Sequence, residues 1–84
     1  MNNVVIQLVT GLKSRNDDTR LQAAKDLRRY ALFELQELSR DDLARFLDEF
    51  DKHLADMVNN GDMSEKKGAV MAVSKLLLVH ALFD

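Results

Sequence analysis

The chain of 84 residues has no cysteine, no proline and no tryptophan, and only three glycines. Without cysteine there is no disulfide and no thiolate to act as nucleophile or metal ligand, and nothing marks the redox compartment. Without proline, and with so little glycine, there is scant material for hairpins or long loops. A surplus of positive charge is also missing: twelve Lys and Arg stand against fourteen Asp and Glu, with the signs interspersed. That balance excludes a mainly electrostatic nucleic-acid binder. No apolar run reaches the roughly 18 residues of a membrane span. The start, MNNVVIQLVTGLKS, has no basic leader and its apolar run is broken by Gln7 and Thr10, so it does not read as a signal peptide. The expectation is a soluble, cytoplasmic chain, either one small domain or a piece of a larger protein, with one modest core and marginal stability.

What is present is helical periodicity. Val4, Val5, Leu8, Val9 and Leu12 fall on one stripe and predict a helix from about Val4 to Lys13, with Asn2 or Asn3 as its cap. A second helix is predicted after Asn16 or Asp17, running to about Leu38. Its stripe is Ala23, Ala24, Leu27, Tyr30, Ala31, Leu35 and Leu38, and Asp17 and Asp18 sit in its first turn, where negative charge complements the helix dipole. Ser39 and Asp42 have capping-box spacing before a third, amphipathic helix with apolar Leu43, Phe46, Leu47, Phe50, Leu54, Met57 and Val58. After the break NNGD, Asp62 and Glu65 form a second capping box, and a fourth helix is predicted from about Met63 to Phe83. Apolar residues surround this last helix, so it requires cover on more than one side.

The breaks repeat. Asn16 and Asp62 stand 46 residues apart, and the same offset sets Arg20 on Lys66, Ala23 on Ala69, Ala24 on Val70, Leu27 on Val73, Tyr30 on Leu76 and Ala31 on Leu77. In the preceding helices it sets Leu8 on Leu54 and Leu12 on Val58. A two-helix unit with a period of about 40–47 residues is the spacing of HEAT-type repeats. The fold class expected is therefore all-α, two antiparallel helix pairs stacked as in an α-solenoid, residues 1–38 forming the first pair and 39–84 the second. The small residues at Ala23 and Ala69 let helices approach closely, and Arg20 can reach an acidic group or a carbonyl of a neighbouring turn. The helix-two register predicts Ala69, Val70, Val73, Leu76 and Leu77 inward on the fourth helix. Met71, Leu78 and Leu82 then project from its opposite side as a candidate packing and interaction face, open to self-association. Gly68 inside a helix costs about 1 kcal/mol relative to Ala, and close approach of a neighbouring helix is the expected compensation.

The stretch GLKSRNDDTRLQAAKDL (residues 11–27) resembles the extreme N-terminal HEAT region of the TOR (target of rapamycin) protein kinases. Residues 11–16 follow the family pattern without a gap, and Ala23, Ala24, Lys25 and Leu27 continue in register. FELQELSRDDLARFLDEFDKH is similar to the family's next segment through Glu34, Leu35, Glu37, Ser39 and Phe46, and EKKGAVMAV (residues 65–73) to its KGG-containing third block. Ala69 replaces the second glycine of that block, and Lys52 the first of two histidines, leaving His53. Past AVSKLL the family makes a glycine-rich turn where this chain continues LVHALFD, as expected of a fragment, a truncated product or a gene-model end.

The resemblance implies a HEAT scaffold segment of a Ser/Thr kinase in growth and nutrient signalling, cytoplasmic or recruited to the lysosomal surface, with further HEAT repeats, raptor and the GTPase Rheb as partners. It implies no catalysis in this segment. The residues agree: there is no glycine-rich phosphate loop, no G-x-x-x-x-G-K, and no H-R-D or D-F-G. No cofactor and no catalytic group is expected. The alternative is a free-standing four-helix adaptor unrelated to TOR. Glu49 with His53, and His80 with Asp84, are i,i+4 pairs that could in principle hold Zn²⁺, but they read better as solvated side chains. Glu34 and His80 lie within apolar stripes, either as docking residues or as polar groups paired within the fold. Asp41, Asp42, Asp48, Glu49 and Asp51 form either an acidic docking surface or a solvated helix face.

Overall fold

A computed structural model describes the backbone of residues 3–83 and the side chains of residues 4–79. Four helices follow one another: α1 Asn3–Leu12, α2 Asp17–Phe33, α3 Arg40–Asn60 and α4 Met63–Phe83. No strand occurs among the described residues. Each of the three later helices starts where side-chain capping chemistry puts it. Asn16 accepts from the Thr19 N–H at 3.0 Å and Ser39 from the Asp42 N–H at 3.2 Å. Asp62 and Glu65 cap each other reciprocally, at 2.9 and 3.1 Å, before α4. The expected caps Asn2 and Asn3 have side chains outside the described residues.

One boundary departs from the sequence reading. Helix α2 ends at Phe33, not near Leu38, and a single 3-10 turn, Leu35–Glu37, follows it. Two demands on the backbone explain the early stop. Leu35 must turn into the core, where it is buried, and the cap of α3 needs extended backbone at Leu38 and Ser39. The tighter turn satisfies both while keeping i+4 and i+7 spacing, so periodicity alone reads straight through it.

The helices pack antiparallel as two stacked pairs, an arrangement compatible with a HEAT-like all-α fold. α2 lies mainly against α4 and α1, α3 against α4, and α1 touches α3. The core between them is filled by Phe46, Phe50, Leu12, Leu27, Met57 and Val5, all fully buried. Each such side chain contributes about 1.5–3 kcal/mol by leaving water. Tyr30, Phe46 and Phe50 form a chain of rings with centroids 5.2 and 5.6 Å apart.

Two close approaches set the spacing. A Cβ on Gly11 would lie 2.7 Å from the Ala23 Cβ, so α1 and α2 touch there. A Cβ on Gly68 would lie 1.9 Å from the Leu12 carbonyl oxygen, so the backbone of α4 rests on the end of α1. The compensation expected for a glycine inside α4 is this contact.

Burial also corrects the repeat register. The buried positions of α2 are Arg20, Ala23, Ala24, Leu27 and Ala31. Shifted by 45 residues, not 46, they become Glu65, Gly68, Ala69, Ala72 and Leu76, the buried and half-buried positions of α4. The same shift carries Val5, Val9 and Leu12 onto the buried Phe50, Leu54 and Met57. The caps repeat at 46 and the packing faces at 45, and one residue turns a helix by about 100°. That difference moves the inward face of α4. Val70, Val73 and Leu77, expected inside, are exposed, as are Leu47 and Val58.

Candidate interaction surface

The elbow between α1 and α2 is built around one buried charge. Arg20 is only 5% exposed. Its Nη1 donates to the Ser14 carbonyl oxygen at 2.8 Å, and its Nη2 pairs with the Asp17 carboxylate. The expectation that Arg20 reaches a carbonyl and an acidic group nearby is met on both counts. Its Nε is buried without an acceptor among the described residues. The elbow is also tied to the second pair: Lys13 lies 3.2 Å from Glu65 and Arg15 3.7 Å from Asp62. These pairs are partly or largely exposed, so each contributes little to stability.

Two open grooves flank α2. The larger, about 700 Å³, runs along the α1–α2 seam over Leu8, Gly11, Ala23 and Tyr30, with Asp18, Asp26 and Glu34 among its walls. The smaller, about 410 Å³, lies between Arg20 and the first turns of α4 at Met63, Lys66, Lys67, Val70 and Met71.

Helix α4 carries the most uncovered apolar surface. Met63, Val70, Val73 and Leu77 recur at helical spacing along it, all exposed, with Val70 at 65%. Of the sequence-based candidate face, Leu78 is exposed, Met71 is half-buried against the core rather than free, and Leu82 lies outside the described side chains. Glu34 is exposed at the C-cap of α2, so it is not a buried polar group. The side chain of His80, and Asp84, fall outside the described residues. Glu49 and His53 are half-buried on α3 instead of lying on its wet side, and the Glu49 Oε2 is buried without a partner among the described residues. No group of three or more metal-ligating side chains occurs among the described residues. In the acidic set, Asp42 pairs with Arg45 at 3.5 Å and Asp48 with Lys52 at 3.0 Å on α3 itself. Among the described residues no helix is long and apolar enough to cross a membrane.

These faces belong to a sequence with recognisable kin. It is 48% identical over 75 residues, 89% of the chain, to the serine/threonine-protein kinase mTor of Drosophila melanogaster. The sequence is TOR-related. The fission yeast Schizosaccharomyces pombe serine/threonine-protein kinase tor1 matches as well, 28% identical over 86% of the chain. The TOR-related chain spans 3% of the length of each of these curated relatives. No family model matches it, and no solved structure matches it. The identity to the fly kinase sets aside the adaptor unrelated to TOR.

Proposed function

We propose that the chain is a HEAT-type scaffold segment, docking protein through helix faces and catalysing nothing. The observation that carries this reading is the uncovered apolar surface of the second helix pair, in a TOR-related sequence that amounts to 3% of its relatives' length. Solenoid units bury their apolar faces against neighbours, and about three or more are needed for stability.

The 45-residue equivalence indicates which side chains a further pair covers. Lys13, at the end of α1, meets Glu65 of α4, and its equivalent in the second pair is Val58. Leu32 of α2 is half-buried against the core, and its equivalent is the exposed Leu77. Val58 therefore stands where the first pair reaches the second through Lys13, which itself stays exposed, and Leu77 stands where the first pair is half-buried. Leu78 borders them. Partners of the kind the family resemblance implies, raptor or Rheb, would be met by the assembled array.

The test is sedimentation at tens of micromolar. The wild-type chain is expected to self-associate, and the Val58→Lys/Leu77→Lys variant to be monomeric with unchanged helix content. No ATP-dependent phosphate transfer to a generic Ser/Thr substrate is expected from either. A monodisperse, fully soluble wild-type monomer, or phosphate transfer that survives repurification, refutes the reading.

A further inference from the structure

The smaller groove differs from the stacking face in origin. Arg20 comes from α2 and its other lining residues from α4, so it lies in the seam of two helices already joined. A further helix pair docking beyond α4 leaves such a seam open, as the first pair shows. The α2 positions equivalent to Met63, Lys66, Lys67 and Val70 are Asp18, Leu21, Gln22 and Lys25, and all four are exposed although α4 is packed on α2. At those positions α2 is mostly polar, whereas α4 presents Met63 and Val70. Repetition of the fold does not account for that apolar pair.

The charges around it are of one sign and largely unused. The side-chain ammonium groups of Lys66 and Lys67 have no ion-pair or hydrogen-bond partner among the described residues. Arg20, on the α2 side of the groove, is more than nine-tenths buried, held by the Ser14 carbonyl and Asp17, and its Nε–H has no acceptor among the described residues. A buried donor without an acceptor is uncommon enough to need an explanation. Apolar walls rimmed by free cations complement a segment that alternates carboxylates with large apolar side chains.

We propose that this groove binds an acidic, apolar peptide segment of a partner protein, its apolar side chain between Met63, Val70 and Met71 and its carboxylates on Lys66 and Lys67. A membrane surface is the less suited occupant, because the exposed apolar side chains are few, Met63 and Val70, and border a groove whose other wall is a second helix at Arg20. The proposal goes beyond the stacking role and does not depend on it: the groove residues and the stacking positions Val58 and Leu77 are different side chains.

The experiment is fluorescence anisotropy with the 84-residue chain and a labelled peptide of leucines spaced by glutamates. Its counterpart with lysine for every glutamate serves as the second probe. Saturable binding of the acidic peptide is expected, weakened at least about tenfold by Lys66→Glu/Lys67→Glu and reduced by raising salt, which shortens the reach of exposed charges to about 10 Å or less. The lysine peptide is expected not to bind. Lys75→Glu, a single charge reversal on α4 outside the groove, is expected to leave binding unchanged. The monomeric Val58→Lys/Leu77→Lys variant is expected to bind like wild type, so failure of the groove and failure of the stacking reading give different results. No binding of the acidic peptide, equal binding of both peptides, or insensitivity to Lys66→Glu/Lys67→Glu overturns the proposal. So does binding to phosphatidylserine vesicles without binding to the peptide.

Discussion

Replacing Gly68 with alanine tests the packing of the whole fold with one methyl group. In an exposed helix the change would stabilise by about 1 kcal/mol, because alanine is the better helix former. Here the new Cβ would stand 1.9 Å from the Leu12 carbonyl oxygen and 2.8 Å from its carbon. Ordinary contact begins at about 3.4 Å, so α4 and the end of α1 must separate by more than about 1 Å. The obstacle is backbone, not the tip of a flexible side chain, so it cannot rotate away. Overpacking of this kind costs about 1–3 kcal/mol. Set against the propensity gain, and with a rigid obstacle favouring the upper end, the net expectation is a loss of about 1–2 kcal/mol. Urea unfolding followed by circular dichroism at 222 nm reads this directly. With a slope of about 1 kcal/mol per molar for so small a chain, the midpoint should fall by about 1–2 M. Ser74→Ala, at an exposed position of the same helix, controls for propensity and should leave the midpoint equal or slightly raised. A Gly68→Ala midpoint at or above wild type would show that α4 does not rest on α1 as described.

Arg20→Met keeps most of the buried volume and removes the bonds to the Ser14 carbonyl and Asp17; a loss of about 1–3 kcal/mol is expected, with faster amide exchange at the elbow, and Arg20→Lys should not restore it. Phe50→Ala empties a fully buried position and should cost about 3–5 kcal/mol, most of the stability of a chain this size, so its helix signal should already be reduced without denaturant. Asp62→Ala removes one half of the box before α4 and should cost about 1 kcal/mol, read as a lower thermal midpoint, with exchange quickened at residues 63–66 and little changed in α2.

Helix existence and most helix starts were legible because they depend on local chemistry. Asn16, Ser39 and Asp62 are side chains that bond their own next turn, and no distant contact is needed to place them. The end of α2 was not legible, since the 3-10 turn answers to the burial of Leu35 and the geometry of the next cap. The repeat was legible as a repeat, but aligning it on the caps gave 46 where the packing faces give 45. Caps follow the lengths of connecting segments, and those vary freely, whereas packing faces must meet in space. That single residue is why Val70, Val73 and Leu77 were expected inside and stand outside, and why Met71 was expected free and is half-buried. Arg20 was legible as a residue with reach, but not as a buried one, because burial depends on how the helices pack and not on local spacing. The small groove was invisible to sequence patterning, since Arg20 and Lys66 belong to different helices whose contact no local periodicity reports.

The glycine at position 68 also fixes an angle. Neighbouring helices lie about 8–10 Å apart, so a wedge of about 1 Å at one such junction tilts everything beyond it by about a tenth of a radian. In the stack of such pairs proposed above, that tilt would displace a point about 100 Å away by about 10 Å. A hydrogen atom in place of a methyl group at one contact would thus decide where surfaces many repeats away come to lie.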